Sequence, residues 1–516
     1  LGPNGSQVDL LRPVRIAPAN GGVMTISQER GPVFAATGGQ PGGGALNVTA
    51  TRGVGLPEAA VAVPRWSLTP GGFTATLEGR AALDFGLARG VTVTTRGELA
   101  SGEGRLTYAA RDCAAVSVER LELDENDIST ISGGFCPSGG PLVTVSEGAW
   151  RAGGAIRNVS ADAPFLALHF TEATGRLDAF GGPGGLGLDA RIDTARVEDA
   201  TTPDRFNPAL ARGAARLRGE SWSGAFDLLA GERRVGGLTL AHNGELGAGG
   251  IVIRSEDLAF AEGGLQPADL SPLLEGLVGS PATGAARFDG RVDWTADGAG
   301  SSSGVLSIPG LDFVSPAGPV KGLKGQIVFT SLTPLVTAPG QSLTADVLET
   351  IAPLTGVEID FAVDKAAVTV AGAQLSVGGG TLSIEPFSVP LDPDQPVSGV
   401  IVLDRVQLGE LIAGSGFGDK VKLDALVSGR LPFTFRRGVG LRVADGRLAA
   451  VQPGRLSIGR EALSGLEAGG GGDGVPPNTV QDLAYQAMEN LAFDLLDAEV
   501  NSLDEGRLGV LFHIRG

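Results

Sequence analysis

The stretch Val320–Leu343, VKGLKGQIVFTSLTPLVTAPGQSL, decides how the chain is read. Along an extended backbone, successive side chains point to opposite faces. Leu323, Gly325, Ile327 and Phe329 therefore share one face, and Lys324, Gln326, Val328 and Thr330 share the other. Pro334 and the Pro339-Gly340 turn then stop the run, and a new one begins.

The same pattern recurs through the sequence. In GLGLDARIDTA, Leu186, Leu188, Ala190 and Ile192 oppose Asp189, Arg191 and Asp193. In FDGRVDW, Phe288, Val292 and Trp294 oppose Asp289, Arg291 and Asp293. Leu166, Leu168 and Phe170 line up in FLALHF, and Leu508, Val510, Phe512 and Ile514 in RLGVLFHIRG. Clusters such as TPGG, GGPGG, GAGG and DPDQP separate the runs. Period-two alternation punctuated by Gly and Pro predicts an antiparallel meander, one face apolar and one face wet.

Three helices are expected: Leu265–Gly279, Val406–Gly418 and Asn478–Phe493, the last capped by Asn478 or Thr479. The Gly-rich tract EAGGGGDGVPPN reads as a flexible linker. The expected organisation is a β part over 1–264, a second β part over 265–466, a linker over 467–477, and a helix with a hairpin over 478–516. The fold class is mainly β, with a few short helices capping or plugging the sheet.

Composition bounds the function. The 516 residues include 82 Gly and 31 Pro, yet 42% are hydrophobic, too many for a disordered Gly-rich chain. Aromatics are 5%, so any core is built from Leu, Val, Ile and Ala. Net charge is −18, which argues against nucleic acid and anionic membrane surfaces as partners. Only five basic residues are Lys (Lys321, Lys324, Lys365, Lys420, Lys422), an Arg, Ala and Gly bias that points to a GC-rich bacterial genome. No run of about 18 apolar residues is present to span a bilayer as a helix. The chain opens Leu-Gly-Pro and is read as a fragment or processed form.

Residues suited to chemistry are sparse. His169, His242 and His513 lie far apart, each inside a strand-like run. No HExxH, paired Cys-x-x-Cys, EF-hand loop or G-x-S-x-G elbow occurs. GSGFGDK lacks the Gly-Lys-Ser/Thr ending of a phosphate loop and follows a helix rather than a strand. Asp and Glu alternate with Arg as on a solvated sheet. No catalytic residue, metal site or cofactor is therefore assigned, and the chain is not read as an enzyme. Cys113 and Cys136 bracket a hairpin-sized segment. They are read as a disulfide, worth ~3 kcal/mol by loop closure in an oxidising compartment, rather than as two unrelated buried thiols. The apolar face must be covered, and the pattern alone favours a filled core over an apolar cargo in an open trough.

The stretch GPVKGLKGQIVFTSLTPLVTAPGQSL, followed by IAPLTGVEIDFAV, GGGTLSIEPFSV and VSGVIVLDRVQLGELI, resembles the YdbH family of AsmA-like bridge proteins of Gram-negative bacteria. GLQPADLSPLLEGLVGSPATGAARFDGRVDW before it, and VQDLAYQAMENLAFDLLDAEVNSLDEGRLGVLFHIRG at the end, fit the same pattern. The resemblance is strong over Leu258–Gly516 and weaker before it, where it rests on the Cys113/Cys136 hairpin and TTPDRFNPAL.

The resemblance implies a β-taco, a U-shaped antiparallel sheet with an apolar groove. It implies periplasmic phospholipid transport between inner and outer membranes and an N-terminal inner-membrane anchor outside this chain. It also implies a small outer-membrane lipoprotein partner added as a strand at the C-terminal end. A dicarboxylate-transport label attached to the same domain would need membrane spans. The groove-lining residues expected on this basis are Leu186, Leu188, Ile192, Val292, Trp294, Leu323, Ile327, Phe329, Leu508, Val510, Phe512 and Ile514. The alternative is an extracellular or periplasmic structural or adhesive β-solenoid with a filled core and no lipid.

Overall fold

The computed structural model describes residues 5–516 except 20, 29, 39–40, 55, 124–126, 299, 351, 393, 415–417, 437, 460–488 and 504–507. Of the described residues 71% lie in strands and 4% in helical turns. Hydrogen bonding assigns 35 strands to one antiparallel sheet, and three more, Val421–Asp424, Gly454–Ile458 and Leu491–Phe493, to a second. The expected linker and most of the third expected helix lie outside the described residues. Leu491–Phe493, at that helix's expected end, is a strand.

Contacts divide the chain into two units. The first comprises Leu1–Glu256, Asp269–Leu273 and Asp289–Ser302; the second comprises Asp257–Ala268, Leu274–Phe288 and Ser303–Gly516.

In the first unit a long strand is often flanked on one side by two short ones laid end to end. Ala88–Gly102 pairs with both Arg105–Ala110 and Ala114–Leu121. Ala149–Ala163 pairs with both Ile128–Cys136 and Val143–Ser146. The breaks between the short strands lie side by side, and there Cys113 and Cys136 are bonded, S–S 2.03 Å. The bond closes a sequence separation of 23 residues at a point where the ladder is interrupted.

Bulges interrupt the long strands at a common level. Register shifts fall between Ser129 and Ser132, between Ile156 and Val159, between Thr171 and Thr174, and between Ile192 and Ala195. Thr130, Asn158 and Glu172, in these shifts, have φ of 49°, 50° and 53°. A bulge adds one residue to one strand, bends it and sharpens its twist. Repeated on neighbouring strands, bulges draw a fold line across the sheet.

The second unit continues the antiparallel pattern and adds helical caps. The stretch Val320–Leu343 forms most of strand Gly318–Leu332, a turn, strand Leu335–Thr337 and the start of strand Gln341–Glu349. The expected helix over 265–279 reduces to an α-turn Pro267–Leu270 and a 3-10 turn Pro272–Leu274. Pro272 cannot donate the hydrogen bond that would continue the first turn, and Gly279 already begins strand Gly279–Trp294. Of the second expected helix, the described residues show Leu408–Ala413 helical, with Val406 and Gln407 still in strand Val397–Gln407. Leu166 does not line up with Leu168 and Phe170. It ends the 3-10 turn Pro164–Leu166, and Ala167 at φ 51° separates it from the strand.

Candidate functional site

Directly opposed residues on paired strands share a face, so the register traces which side chains line up across a sheet. In the first unit one such row runs Trp66, Ala75, Leu99, Tyr108, Val143, Ala152, Ala179. It continues through Leu188, Leu217, Trp222, His242, Gly249 and Trp294. At ~4.8 Å per strand the row is about 60 Å long, measured along the sheet. A parallel row joins Leu177, Ala190, Ala215, Gly224, Leu240, Ile251 and Val292. A third joins Ile192, Gly213, Phe226, Leu238 and Ile253. Leu186, opposite Gly181, extends the face on the other side.

Most of these aliphatic side chains are half-buried: Leu177, Leu186, Leu188, Ile192, Leu240, Ile251 and Val292 all keep contact with solvent. Trp294 differs. It is 6% exposed, donates its Nε1–H to His242 Nδ1 at 3.1 Å, and meets Phe165 edge-on at 5.4 Å.

The other face is ionic. Arg151 and Arg176 both pair with Asp178, Arg216 and Arg218 with Asp189, and Arg291 with Asp293. Burial alone would raise the Asp178 carboxyl, but hydrogen bonds from Arg151 and Arg176 outweigh it and lower its pKa.

Two ring contacts show that this sheet doubles back. Phe85 stands at the turn into strand Ala88–Gly102, opposite Ala88. Trp150 stands at the far margin, opposite Val145, in a row that runs through Leu106 to Ser101. Ala88 and Ser101 would be about 43 Å apart on a straight strand at ~3.3 Å per residue. Yet the rings of Phe85 and Trp150 meet edge-on at 5.4 Å. Phe165 and Trp294 stand in the same relation, a turn at one margin against a Trp at the other.

A polar clasp that sequence reading passed over holds the Phe165 turn. Arg205 pairs with Asp199, whose side chain is fully buried, at 2.6 Å. Arg205 also donates to the Leu166 and Ala167 carbonyls, each at 3.2 Å. Ser271 Oγ donates to the Arg205 carbonyl at 2.6 Å. Burial would raise the Asp199 carboxyl, but hydrogen bonds from the Arg205 side chain and backbone outweigh it and lower it to about 2. The signal in the sequence was the isolated phrase TTPDRFNPAL.

In the second unit Leu323 opposes Leu311, Ile327 opposes Leu306, and Phe329 opposes Gly304 and Thr337. All three of these residues are half-buried, while Lys324, Gln326, Val328 and Thr330 are exposed. The apolar face here is more fully covered. One cluster gathers Val320, Leu354, Leu375, Leu403, Phe433, Leu448 and Val500, all buried. Another, under helix Leu408–Ala413, gathers Leu423, Val427, Phe493 and Leu496.

In the terminal hairpin Ile514, Phe512, Val510 and Leu508 oppose Leu496, Ala498, Val500 and Ser502. Ala498 and Val500 are 2% and 4% exposed, but Phe512 and Val510 are 41% and 42% exposed. Strand Leu508–Arg515 pairs on one side only among the described residues.

The structure thus gathers Leu186, Leu188, Ile192, Val292 and Trp294 on one face of the first unit, and the remaining expected residues lie in the second. Sequence reading missed Leu177, Leu217, Trp222, Leu238, Leu240, Ile251 and Ile253. The alternation of Leu238, Leu240 and His242 in GGLTLAHN was the available signal.

Fold and face define a class: a long antiparallel β-sheet protein with one apolar and one ionic face, and no metal-binding cluster among the described residues. The chain belongs to the YdbH-like family, described as intermembrane phospholipid transport protein YdbH, whose model matches residues 35–516. No curated protein and no solved structure matches it. Membership assigns the chain to phospholipid transport between membranes, and so to a cell envelope.

Proposed function

We propose that this chain is a periplasmic bridge that carries phospholipids between the inner and outer membranes of a Gram-negative cell. Acyl chains lie on the apolar face of a folded-over sheet, used as a groove, and the headgroup stays at the wet margin. The observation that carries this reading is the set of half-buried aliphatic rows in the first unit. An apolar surface of that extent, left partly open, calls for an apolar occupant. Each buried CH₂ contributes ~0.8 kcal/mol, so two acyl chains are held firmly, and movement needs equivalent sites side by side. The cross-strand rows supply such sites.

In the same reading an inner-membrane anchor precedes this chain in the parent protein. A small outer-membrane lipoprotein adds a strand to the edge Leu508–Arg515, where backbone groups template pairing. The buried clusters of the second unit favour a second reading for that part, a structural β framework with a filled core.

Lipid extraction and mass spectrometry on the chain, purified without detergent, test both. Phospholipid is expected with the parent and is expected to fall several-fold in a Leu188→Asp, Leu240→Asp variant. An Ile327→Asp, Phe329→Asp variant asks the same of the second unit. A folded, monomeric parent that carries no lipid would sink the transport reading and leave the structural one.

A further inference from the structure

We propose that Phe85–Trp150 and Phe165–Trp294 are clasps that hold the two margins of the first unit's sheet together over its apolar face. They thereby set where a phospholipid can enter from the side. The inference rests on the groove reading above and adds positioning residues to it.

The two contacts are built alike. In each, a Phe sits on or beside a turn at one margin, Phe85 ending strand Gly72–Phe85 and Phe165 inside a 3-10 turn, and a Trp stands on the inner face near the other. Both pairs meet edge-on with centroids 5.4 Å apart, a favourable aromatic geometry. In each, the Trp lies across a glycine on the neighbouring strand. A Cβ on Gly181 would come 2.5 Å from the Trp150 indole nitrogen, and one on Gly249 2.7 Å from the Trp294 ring. Glycine there lets the indole settle against the sheet.

The clasps differ in depth. Phe85 is 50% exposed, whereas Trp294 is 6% exposed and anchored to His242. Trp294 is therefore the buried, anchored half of its pair, and Phe165 the half-buried one that meets it. Phe165 rides on a three-residue turn whose carbonyl ends are held by Arg205, itself fixed by Asp199. A cavity of about 430 Å³ opens beside this pair, lined by Phe165, Val292, Trp294, Asp293 and Asp297 among others. Asp293 and Asp297 line the opening beside Phe165, Val292 and Trp294, so it is a mixed polar and apolar gap at the margin, open to a lipid's headgroup end as well as its chains.

The test is the rate at which the full chain takes up a fluorescent phosphatidylethanolamine from donor vesicles, and the amount held at saturation. Phe85→Ala and Phe165→Ala are expected to speed uptake roughly two- to tenfold, the scale of one aromatic pair, with the saturating amount unchanged. Arg205→Lys, which keeps the charge but loses the planar fork, is expected to act in the direction of Phe165→Ala. Phe85→Cys with Trp150→Cys, bridged by a short bis-maleimide, is expected to slow uptake. The native cysteines are bonded to each other and leave the reagent to the new thiols.

The bridged variant keeps the test decisive if an alanine variant fails to fold. Parent rates in the opened and the bridged variants alike, with normal loading, would overturn the clasps and leave the groove standing. A parent that loads no lipid would remove the groove reading and the clasps with it.

Discussion

The two units use one sequence pattern and fill it differently. In the first, about half of the buried apolar residues are Ala, among them Ala75, Ala173, Ala195 and Ala211, and most of the larger aliphatics of the inner rows stay half-buried, with Leu217 the exception at 3% exposed. In the second, Leu354, Leu375, Leu403, Phe433 and Leu448 are buried together, and helix Leu408–Ala413 closes a further cluster. Alternation decides which face is apolar; side-chain volume and a covering element decide whether that face is filled. Gly213, Gly224 and Gly249 stand within the first unit's rows and leave volume out there.

Truncation in the filled clusters should show the largest effect. Leu496 is 1% exposed, and Leu496→Ala should cost about 3–4 kcal/mol in denaturant unfolding. Arg205→Ala removes one partner of a buried ion pair and should cost about 3 kcal/mol, because Asp199 is left charged and enclosed. Leu188→Ala, on the half-buried face, should cost about 1 kcal/mol, since much of that surface is never removed from water. Equal costs for Leu496 and Leu188 would break the comparison between the units.

Acid sharpens it. Asp199 has its pKa lowered from 3.8 to about 2 in the folded chain. A depressed carboxylate contributes stability above its unfolded value and loses it as pH falls through the folded one. The Asp199 contribution should therefore be complete above about pH 4 and decline towards pH 2. In a thermal melt series over that range the parent should lose this component. Asp199→Asn, less stable at neutral pH, should show a shallower slope.

The part of the fold legible in the sequence is the part set by period-two alternation. Leu186, Leu188, Ala190 and Ile192 were placed on one face, and the register keeps them there through Gly181, Ala179, Leu177 and Gly175. After Ile192 the apolar positions resume at Ala195 and Val197, one residue out of phase. That slip is the trace of the bulge, but a slip alone does not say that neighbouring strands slip at the same level. The fold line needs the pairing, and the pairing needs three dimensions. The contact of Phe85 with Trp150 was illegible for the same reason, since no local pattern links two rings 65 positions apart in the chain. The short helices were overcalled because Leu spacing was weighed above Pro272.

The smallest expected effect is at the edge of the second unit. Phe512 shares a face with Ala498, which is 2% exposed, yet Phe512 itself is 41% exposed because no described strand lies beyond it. A carboxylate placed there keeps water on its open side, so Phe512→Asp should cost no more than about 0.5–1 kcal/mol. The same change one strand inward, Ala498→Asp, would bury an unpaired charge and should prevent folding of the hairpin. A cost above about 2 kcal/mol for Phe512→Asp in the isolated chain would mean that something covers the edge already, and filling would then extend to the last strand. A small cost leaves an apolar row ending in an open ladder, the condition under which another strand can add without displacing anything.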